Sequence, residues 1–326
     1  LAPAMPVDRD GVDASVAAAL LFLAAEQYAD AHEAGTAIVE LAEARVRPEV
    51  GEITRLVRQL ARGDLHAITE RAARDQKREP TRPPPRRLES RAFTVLLATL
   101  SRGIEHLARH MLAIETEDDE LEAAQTLFRK VQAYCSSANE RSVSGSGLGE
   151  PADFRSIGLT VHYAGPAHLA SLLLSASRGI AEASLARLPA PAGADTGFWK
   201  RWLGFRAQST PYVWRNHREA IGRGFEQTGK SAVLVLPTGA GKTTVSVLKI
   251  AGTLARGKKV IFLAPTHALV DQLTTDLQAL FPADEFQLEI SSDFDALLLD
   301  DAQLQNIEVM TPERCLAMLS FAPIQV

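Results

Sequence analysis

Hydrophobic residues recur three and four positions apart along most of the first 190 residues. This spacing places apolar side chains on one face of an α-helix, and five segments have it: 12–31, 53–60, 93–112, 121–134 and 167–188. Two segments interrupt the pattern, because 75–91 contains four prolines among many arginines and 136–155 is rich in serine and glycine. The sequence predicts a helical accessory domain over residues 1–190, with flexible linkers near 75–91 and 136–155.

The period changes after a cluster of helix-breaking residues that includes Pro189, Pro191 and Gly193. Short, largely apolar runs separated by helical patterns follow this cluster, at 232–236, 260–264 and 307–310. Buried strands that alternate with helices are typical of a parallel sheet. We therefore predict a mainly α N-terminal domain, followed over residues 200–326 by an incomplete α/β domain with a parallel sheet.

Composition places the chain among globular proteins. Of its 326 residues 46% are hydrophobic and 23% charged, and the net charge is −5, so neither a disordered chain nor a generally basic nucleic-acid binder is expected. The two cysteines, Cys135 and Cys315, exclude a disulfide framework. Apolar runs stay well short of the ~20 residues of a membrane helix, so we expect a cytoplasmic protein without a membrane partner. Because the first residue is Leu1, we expect a piece of a longer protein.

A glycine-rich stretch follows the run at 232–236 and contains the candidate ligand-binding residues. Residues 236–244 read Leu-Pro-Thr-Gly-Ala-Gly-Lys-Thr-Thr, and a helical pattern begins at Val245. The glycines let the backbone bend so that successive N–H groups and the positive end of the new helix meet at one anion. Phosphate is that anion in the strand, loop and helix context of a P-loop. The residues expected to bind ATP here are Thr238, Gly239, Ala240, Gly241, Lys242, Thr243 and Thr244.

Two of these side chains are the candidates for catalysis. The ammonium of Lys242 suits the β- and γ-phosphates, and the hydroxyl of Thr243 suits a Mg²⁺ ion that bridges them. ATP and Mg²⁺ are therefore the predicted cofactors. Leu236 stands where the general P-loop pattern has its first glycine. The alternative interpretation is a glycine-rich helix N-terminus beside an incidental lysine.

The stretch 236–244 resembles motif I of the superfamily-two DEAD/DEAH-box helicases and translocases, a family that tolerates the missing first glycine. Two later segments follow in the family's order: 264–272 (Ala-Pro-Thr-His-Ala-Leu-Val-Asp-Gln) is similar to motif Ia, and 310–314 (Met-Thr-Pro-Glu-Arg) is similar to motif Ib. The resemblance implies a RecA-like fold, ATP hydrolysis, and a DNA or RNA partner contacted through its backbone. The nucleic-acid contacts that it implies are Pro265, Thr266, His267, Thr311, Pro312 and Arg314. His267 stands where motif Ia usually has an arginine, which weakens one cationic contact.

An upstream segment occupies the place of the family's adenine-sensing residues. His217 lies 25 residues before Lys242 and replaces the usual glutamine. The resemblance implies that His217 hydrogen-bonds the adenine edge and that Tyr212 or Trp214 stacks on the ring. Trp214 and Ile221, seven positions apart, equally fit the core face of a helix. Both interpretations stay open at the level of sequence.

Part of the family's ATP site is not found in the sequence. The family places an Asp-Glu pair after motif Ib, whereas the acidic pair Asp300 and Asp301 precedes it, and no second RecA-like domain is found. We therefore predict the N-terminal portion of an ATP-dependent helicase or translocase, a fragment that binds nucleotide poorly and is inactive alone. The alternative is a helical protein-interaction module with a vestigial or nucleotide-sensing P-loop. In either case a protein partner is expected on the helical region.

Overall fold

A computed structural model describes residues 13–38, 48–75, 88–116, 119–136, 164–237, 239–292 and 304–321. The chain divides into two compact units. Unit 1 comprises residues 1–187 and 207–214, and unit 2 comprises residues 188–206 and 215–326. Most of the two predicted linkers, near 75–91 and 136–155, lies outside the described residues.

Unit 1 is helical over most of its described residues, because each amphipathic segment buries its apolar face against a neighbour. Its helices are α1 Ala14–Ala24, α2 Tyr28–Ala37, α3 Pro48–Arg62, α4 Leu65–Asp75, α5 Leu88–Met111, α6 Glu120–Ser136 and α7 Ala164–Ile180. Two 3-10 turns, Ala181–Ala183 and Leu185–Arg187, follow α7. The last predicted helix of this region therefore ends at Ile180 and does not continue to residue 188.

The first predicted helical segment, 12–31, is divided in two. Helix α1 ends at Ala24, α2 begins at Tyr28, and Glu26 between them has a φ of 58°. This left-handed conformation terminates a helix, and the N–H groups of Glu26 and Gln27 donate back into the last turn of α1. Continuity through 12–31 was a wrong prediction, since hydrophobic spacing does not reveal a single left-handed residue.

Helix α5 lies at the centre of the unit 1 core. Leu96, Leu100 and Ile104 share one of its faces and are at most 1% exposed, and Phe128 of α6 is fully buried. Burial of each such side chain stabilises the fold by roughly 1.5–3 kcal/mol. Unit 1 therefore has a hydrophobic core of its own.

Two histidines of α5 lie four positions apart, a spacing that can serve metal binding. The Nδ1 atom of His106 lies 2.5 Å from Oε2 of Glu120, and His110 is buried. Burial lowers the pKa of His110, with the positive charge of Arg187 acting in the same direction. Over the described ranges, no group of three His, Cys, Asp or Glu side chains is arranged to hold a metal ion.

Unit 2 combines helices with a small parallel sheet. Its helices are α8 Thr196–Ala207, α9 Arg215–Gly222, α10 Lys242–Leu254, α11 His267–Leu280, α12 Ala283–Phe286 and α13 Pro312–Phe321. Its strands are β1 Val260–Leu263, β2 Ile290–Ser291 and β3 Ile307–Met310. In the part of the chain that the structure describes, no helix has both the length and the apolar character needed to span a membrane.

The sheet has the strand order β1, β3, β2, and all pairs are parallel. All four residues of the central strand β3 are buried, including the charged Glu308, whose Oε1 accepts the N–H of Gln305 at 3.0 Å. Leu263 at the end of β1 pairs with Met310 at the end of β3, and the N–H of Ala264 donates to the carbonyl of Met310 at 2.9 Å. The loops after β1 and β3 therefore leave the same edge side by side. The predicted mainly α region followed by an α/β region with a parallel sheet is confirmed.

The strand predicted at 232–236 is not formed. This segment has no regular secondary structure, and Val233 and Val235 are 91% and 86% exposed. A parallel strand needs a neighbour for its hydrogen bonds and cover for both faces. Within the described sheet β1 pairs with β3, and 232–236 pairs with neither. The apolar run thus gave a wrong prediction, because strand pairing is not a local property.

Candidate functional site

A tight turn leads from the extended segment at 232–236 into α10. Gly239 and Gly241 have φ values of 79° and 76°, in the left-handed region that favours glycine. The N–H of Ala240 donates to the carbonyl of Pro237 at 3.2 Å and closes the turn. Thr238, which the sequence places in the phosphate-binding set, lies outside the described residues.

The N-terminus of α10 carries no side-chain cap. Its N-cap is Gly241, whereas the N-cap of α11 is Thr266, whose side chain accepts the N–H of Leu269. The N–H groups of Lys242 and Thr243 belong to the first turn, where a helix provides no internal acceptors. Both residues, like Thr244, are exposed. These N–H groups and the positive end of the helix are together suited to an anion.

The Lys242 side chain bends back over the turn. Its Nζ donates to the carbonyl oxygen of Leu236 at 2.9 Å, and the residue is exposed. An exposed ammonium that is hydrogen-bonded to a neutral carbonyl can exchange this acceptor for a phosphate oxygen at a gain in electrostatic energy. Thr243 offers one hydroxyl beside it. This set of groups fits a triphosphate. It also fits Mg²⁺, for which the Thr243 hydroxyl would be one ligand while phosphate and water oxygens supply the others.

Two side chains of α9 hold the turn from its inner side. Asn216 Nδ2 and His217 Nε2 both donate to the carbonyl of Ala240, at 2.9 and 3.0 Å. Because a carbonyl only accepts, His217 carries its proton on Nε2. The ring is 3% exposed, and a Cβ atom added to Gly241 would lie 2.4 Å from Nε2. The sequence pointed to His217 but not to Asn216, whose only signal is its position next to the histidine.

The protonation of His217 is opposed by its surroundings. Burial lowers the pKa of His217, and the hydrogen bond to Ala240 offsets this only in part. The neutral ring therefore stabilises the turn above the ordinary histidine pKa of about 6.5, and this stabilisation is lost as the pH falls below that value. We expect the free energy of unfolding of unit 2 to fall with it, because the charged ring is disfavoured beneath the turn.

The matched variant for this pH dependence is His217→Gln, whose amide can donate to Ala240 without titrating. The free energy of unfolding of wild type minus that of the variant, measured by urea denaturation from about pH 7.5 to about pH 5.5, is expected to fall as the pH falls. Titration of the other groups affects both proteins equally and cancels in the difference. A constant difference would contradict a pH-dependent role for this histidine.

The two candidate adenine-stacking residues belong to unit 1. The ring of Tyr212 stacks on Tyr28 with 5.0 Å between centroids, and its hydroxyl donates to the carbonyl of Leu60 at 2.6 Å. Burial raises the pKa of Tyr212. Trp214 precedes α9 and packs, half-buried, against the hydrophobic core of unit 1, so it does not share the helix face predicted with Ile221. Stacking of Tyr212 on adenine, and the contact of His217 with the adenine edge, stay predictions.

The segments similar to motifs Ia and Ib begin helices at neighbouring strand ends. Pro265, Thr266 and His267 follow β1 and are all exposed. Thr311 follows β3, and its hydroxyl accepts the N–H of Arg314 at 3.4 Å. The two threonines thus occupy equivalent positions, each before the first turn of a helix.

The residues of the second segment are less accessible than those of the first. Thr311 is 6% exposed, while Pro312 is exposed at the first position of α13. Arg314 is half-buried, and its Nη1 donates to the carbonyl of Ser292 at 2.7 Å. Its guanidinium therefore also joins α13 to the end of β2. The structure brings the two segments together at one sheet edge.

A parallel sheet, a tight glycine turn and an uncapped helix with an exposed lysine define unit 2 as an α/β P-loop domain. Residues 215–325, about one third of the chain, match the family model of the DEAD/DEAH box helicase. This part of the chain is therefore similar to a DEAD/DEAH box helicase domain, and the resemblance seen in the sequence is confirmed for this region. No curated protein matches the chain.

Proposed function

We propose that this chain is the N-terminal portion of an ATP-dependent nucleic-acid helicase or translocase, and that unit 2 contributes its nucleotide-binding turn and part of its nucleic-acid surface. The observation that carries this proposal is the turn at 237–241, which presents the uncapped start of α10 next to the exposed Lys242. The match of residues 215–325 to the helicase family supports it independently.

In the proposed function each group at the turn has a separate role. Lys242 binds the β- and γ-phosphates, Thr243 contributes a hydroxyl to Mg²⁺, and the N–H groups of the first turn of α10 bind phosphate oxygens. When bound, Mg²⁺ neutralises charge on the phosphates. Asn216 and His217 do not need to touch phosphate, because they hold the carbonyl of Ala240.

The nucleic-acid surface is proposed at the loops after β1 and β3. Neither loop offers a row of flat polar groups for base edges, but both combine a threonine with a helix N-terminus, which suits phosphate oxygens. Contacts of this kind are independent of base sequence, as a translocating protein requires. The Asp-Glu pair and the second RecA-like domain that the family uses for hydrolysis are proposed to lie in a longer parent protein.

Direct binding tests the proposed function. The chain should bind ATP with Mg²⁺ at up to millimolar concentration in equilibrium dialysis, and a single-stranded oligonucleotide in fluorescence anisotropy. Nucleic-acid-stimulated ATP hydrolysis is expected of the longer parent. If neither this chain nor the longer parent binds ATP, the proposal is wrong. ATP binding without any oligonucleotide affinity would favour the alternative, a helical interaction module with a nucleotide-sensing P-loop.

Thr266→Ala is expected to weaken oligonucleotide binding about fivefold, the order of one lost hydrogen bond of about 1 kcal/mol. The dependence of affinity on salt concentration should not change, because threonine carries no charge. Thr275→Ala is the matched control, since Thr275 is an exposed threonine of the same helix bonded only to the carbonyl of Asp271. Thr266→Ser should restore binding. Equal affinities of the two alanine variants would place the nucleic acid elsewhere.

A further inference from the structure

Helix α8, Thr196–Ala207, precedes the region that matches the helicase family, yet most of it belongs to unit 2. Trp199 and Trp202 on its inner face are 2% and 1% exposed. Two buried tryptophans on one twelve-residue helix indicate that it is a constituent of unit 2 and not a linker. Its contacts on two sides suggest what it does there.

The turn before α8 is attached to the C-terminal end of α10. The N–H of Asp195 donates to the carbonyl of Ala255, which is the C-cap of α10, at 2.6 Å. Arg256 donates to the carbonyl of Ala192. A Cβ atom added to Gly252 would lie 3.1 Å from Pro191, so the chain packs closely on the last turn of α10.

The inner face of α8 is attached to the C-terminal end of α11. The Nε1 of Trp202 donates to the carbonyl of Leu280, the last residue of α11, at 3.2 Å. Its ring stacks on Phe281 with 5.4 Å between centroids and 13° between planes. Phe198 and Phe205 contact Phe286 of α12 edge to face. Aromatic contacts of this kind are directional and resist sliding.

Helix α8 and the turn before it thus contact the C-terminal ends of α10 and α11. The N-terminal ends of these two helices carry the proposed site. Helix α10 begins at Lys242, and α11 begins at His267 beside Thr266. With 13 and 14 residues, each helix is about 20 Å long. A rigid helix transmits an axial shift to its other end. The Asp195 and Trp202 contacts therefore form a continuous path along which an axial shift of α10 would reach α11.

We propose that α8, with the turn before it, couples ATP binding to nucleic-acid binding. The proposal rests on the proposed function, since it requires that the chain bind both ligands. It makes Trp202 a positioning residue that touches neither ligand. Coupling is reciprocal: ATP changes oligonucleotide affinity by the same factor by which the oligonucleotide changes ATP affinity.

The test measures this factor in the whole chain as the ratio of oligonucleotide affinities with and without saturating ATP and Mg²⁺. Trp202→Phe retains the stacking ring but lacks the N–H for Leu280, and Trp202→Leu loses both. We expect the coupling factor to fall at least threefold in Trp202→Leu and by less in Trp202→Phe, while each ligand alone binds within twofold of wild type. Arg201→Ala, an exposed position on the same helix, should keep the wild-type factor.

The outcomes separate this proposal from the one on which it rests. A wild-type chain that binds neither ligand refutes the proposed function, and α8 coupling with it. A wild-type chain that binds both ligands without coupling refutes α8 coupling alone. So does an unchanged factor in folded Trp202 variants, or an equal loss of both affinities, which indicates a purely structural role. If Trp202→Leu does not fold, Trp202→Phe alone decides.

Discussion

Lys242→Ala should reduce ATP affinity by about 100-fold, to below detection in a chain that binds ATP weakly. The ammonium of Lys242 lies at the turn itself, and a charge-assisted hydrogen bond to phosphate is worth up to ~3 kcal/mol. At ~1.4 kcal/mol for each factor of ten, this corresponds to two orders of magnitude. In a parent that hydrolyses ATP, turnover should fall at least as much.

This loss should not come from unfolding. Lys242 is exposed and donates to the carbonyl of Leu236, so we expect the free energy of unfolding to change by less than ~0.5 kcal/mol. Urea denaturation measures this change. Lys258→Ala is the control, because Lys258 is an exposed lysine beyond the other end of α10. If the Lys242 variant bound ATP with wild-type affinity, the proposal that this turn binds the phosphates of ATP would be wrong.

Gly241→Ala is expected to have the largest effect on stability at the site. A left-handed φ costs a residue with a Cβ roughly 1–2 kcal/mol, and overpacking against a buried group typically costs roughly 1–3 kcal/mol more. The group here is His217, whose Nε2 would lie 2.4 Å from the new Cβ atom. We therefore expect unit 2 to lose roughly 2–5 kcal/mol of unfolding free energy, together with ATP affinity.

Gly239→Ala is the matched control for this substitution. Gly239 has a similar φ of 79°, but, its two chain neighbours aside, no atom of the described residues lies within 4 Å of a Cβ atom added there. Gly239→Ala should therefore lose only the part of the unfolding free energy that comes from the left-handed φ. The difference between the two variants in urea denaturation measures the overlap with His217, and a double-mutant cycle of Gly241→Ala with His217→Ala should recover the same difference. Equal losses at both glycines would show that the histidine can move aside.

The sequence was sufficient to predict features that depend on short-range order. Glycines at fixed positions before a lysine impose the turn at 239–241, and the mainly apolar segment 307–310 forms the predicted strand β3. The two threonines at 266 and 311 could be placed at neighbouring strand ends because parallel strands terminate at one edge. The match to the helicase family spans residues 215–325, the range that contains all three segments.

Features that depend on distant partners were not accessible in the same way. The apolar run at 232–236 has strand composition, but its state depends on whether another strand lies beside it. Asn216 has no distinctive sequence signal, because its value comes from one carbonyl 24 positions away. The role of Trp202 likewise depends on Leu280, 78 positions away. Such contacts are consequences of tertiary packing, which a periodic pattern does not encode.

The two hydrogen bonds to the carbonyl of Ala240 have a consequence for the neighbouring residue. A trans peptide unit is planar, so its C=O and N–H vectors point in opposite directions. Fixing the oxygen toward Asn216 and His217 therefore orients the Gly241 amide hydrogen away from them, and two donors on one oxygen oppose rotation of this peptide plane. The backbone is preorganised before a ligand arrives, so less binding energy is spent on reorganisation.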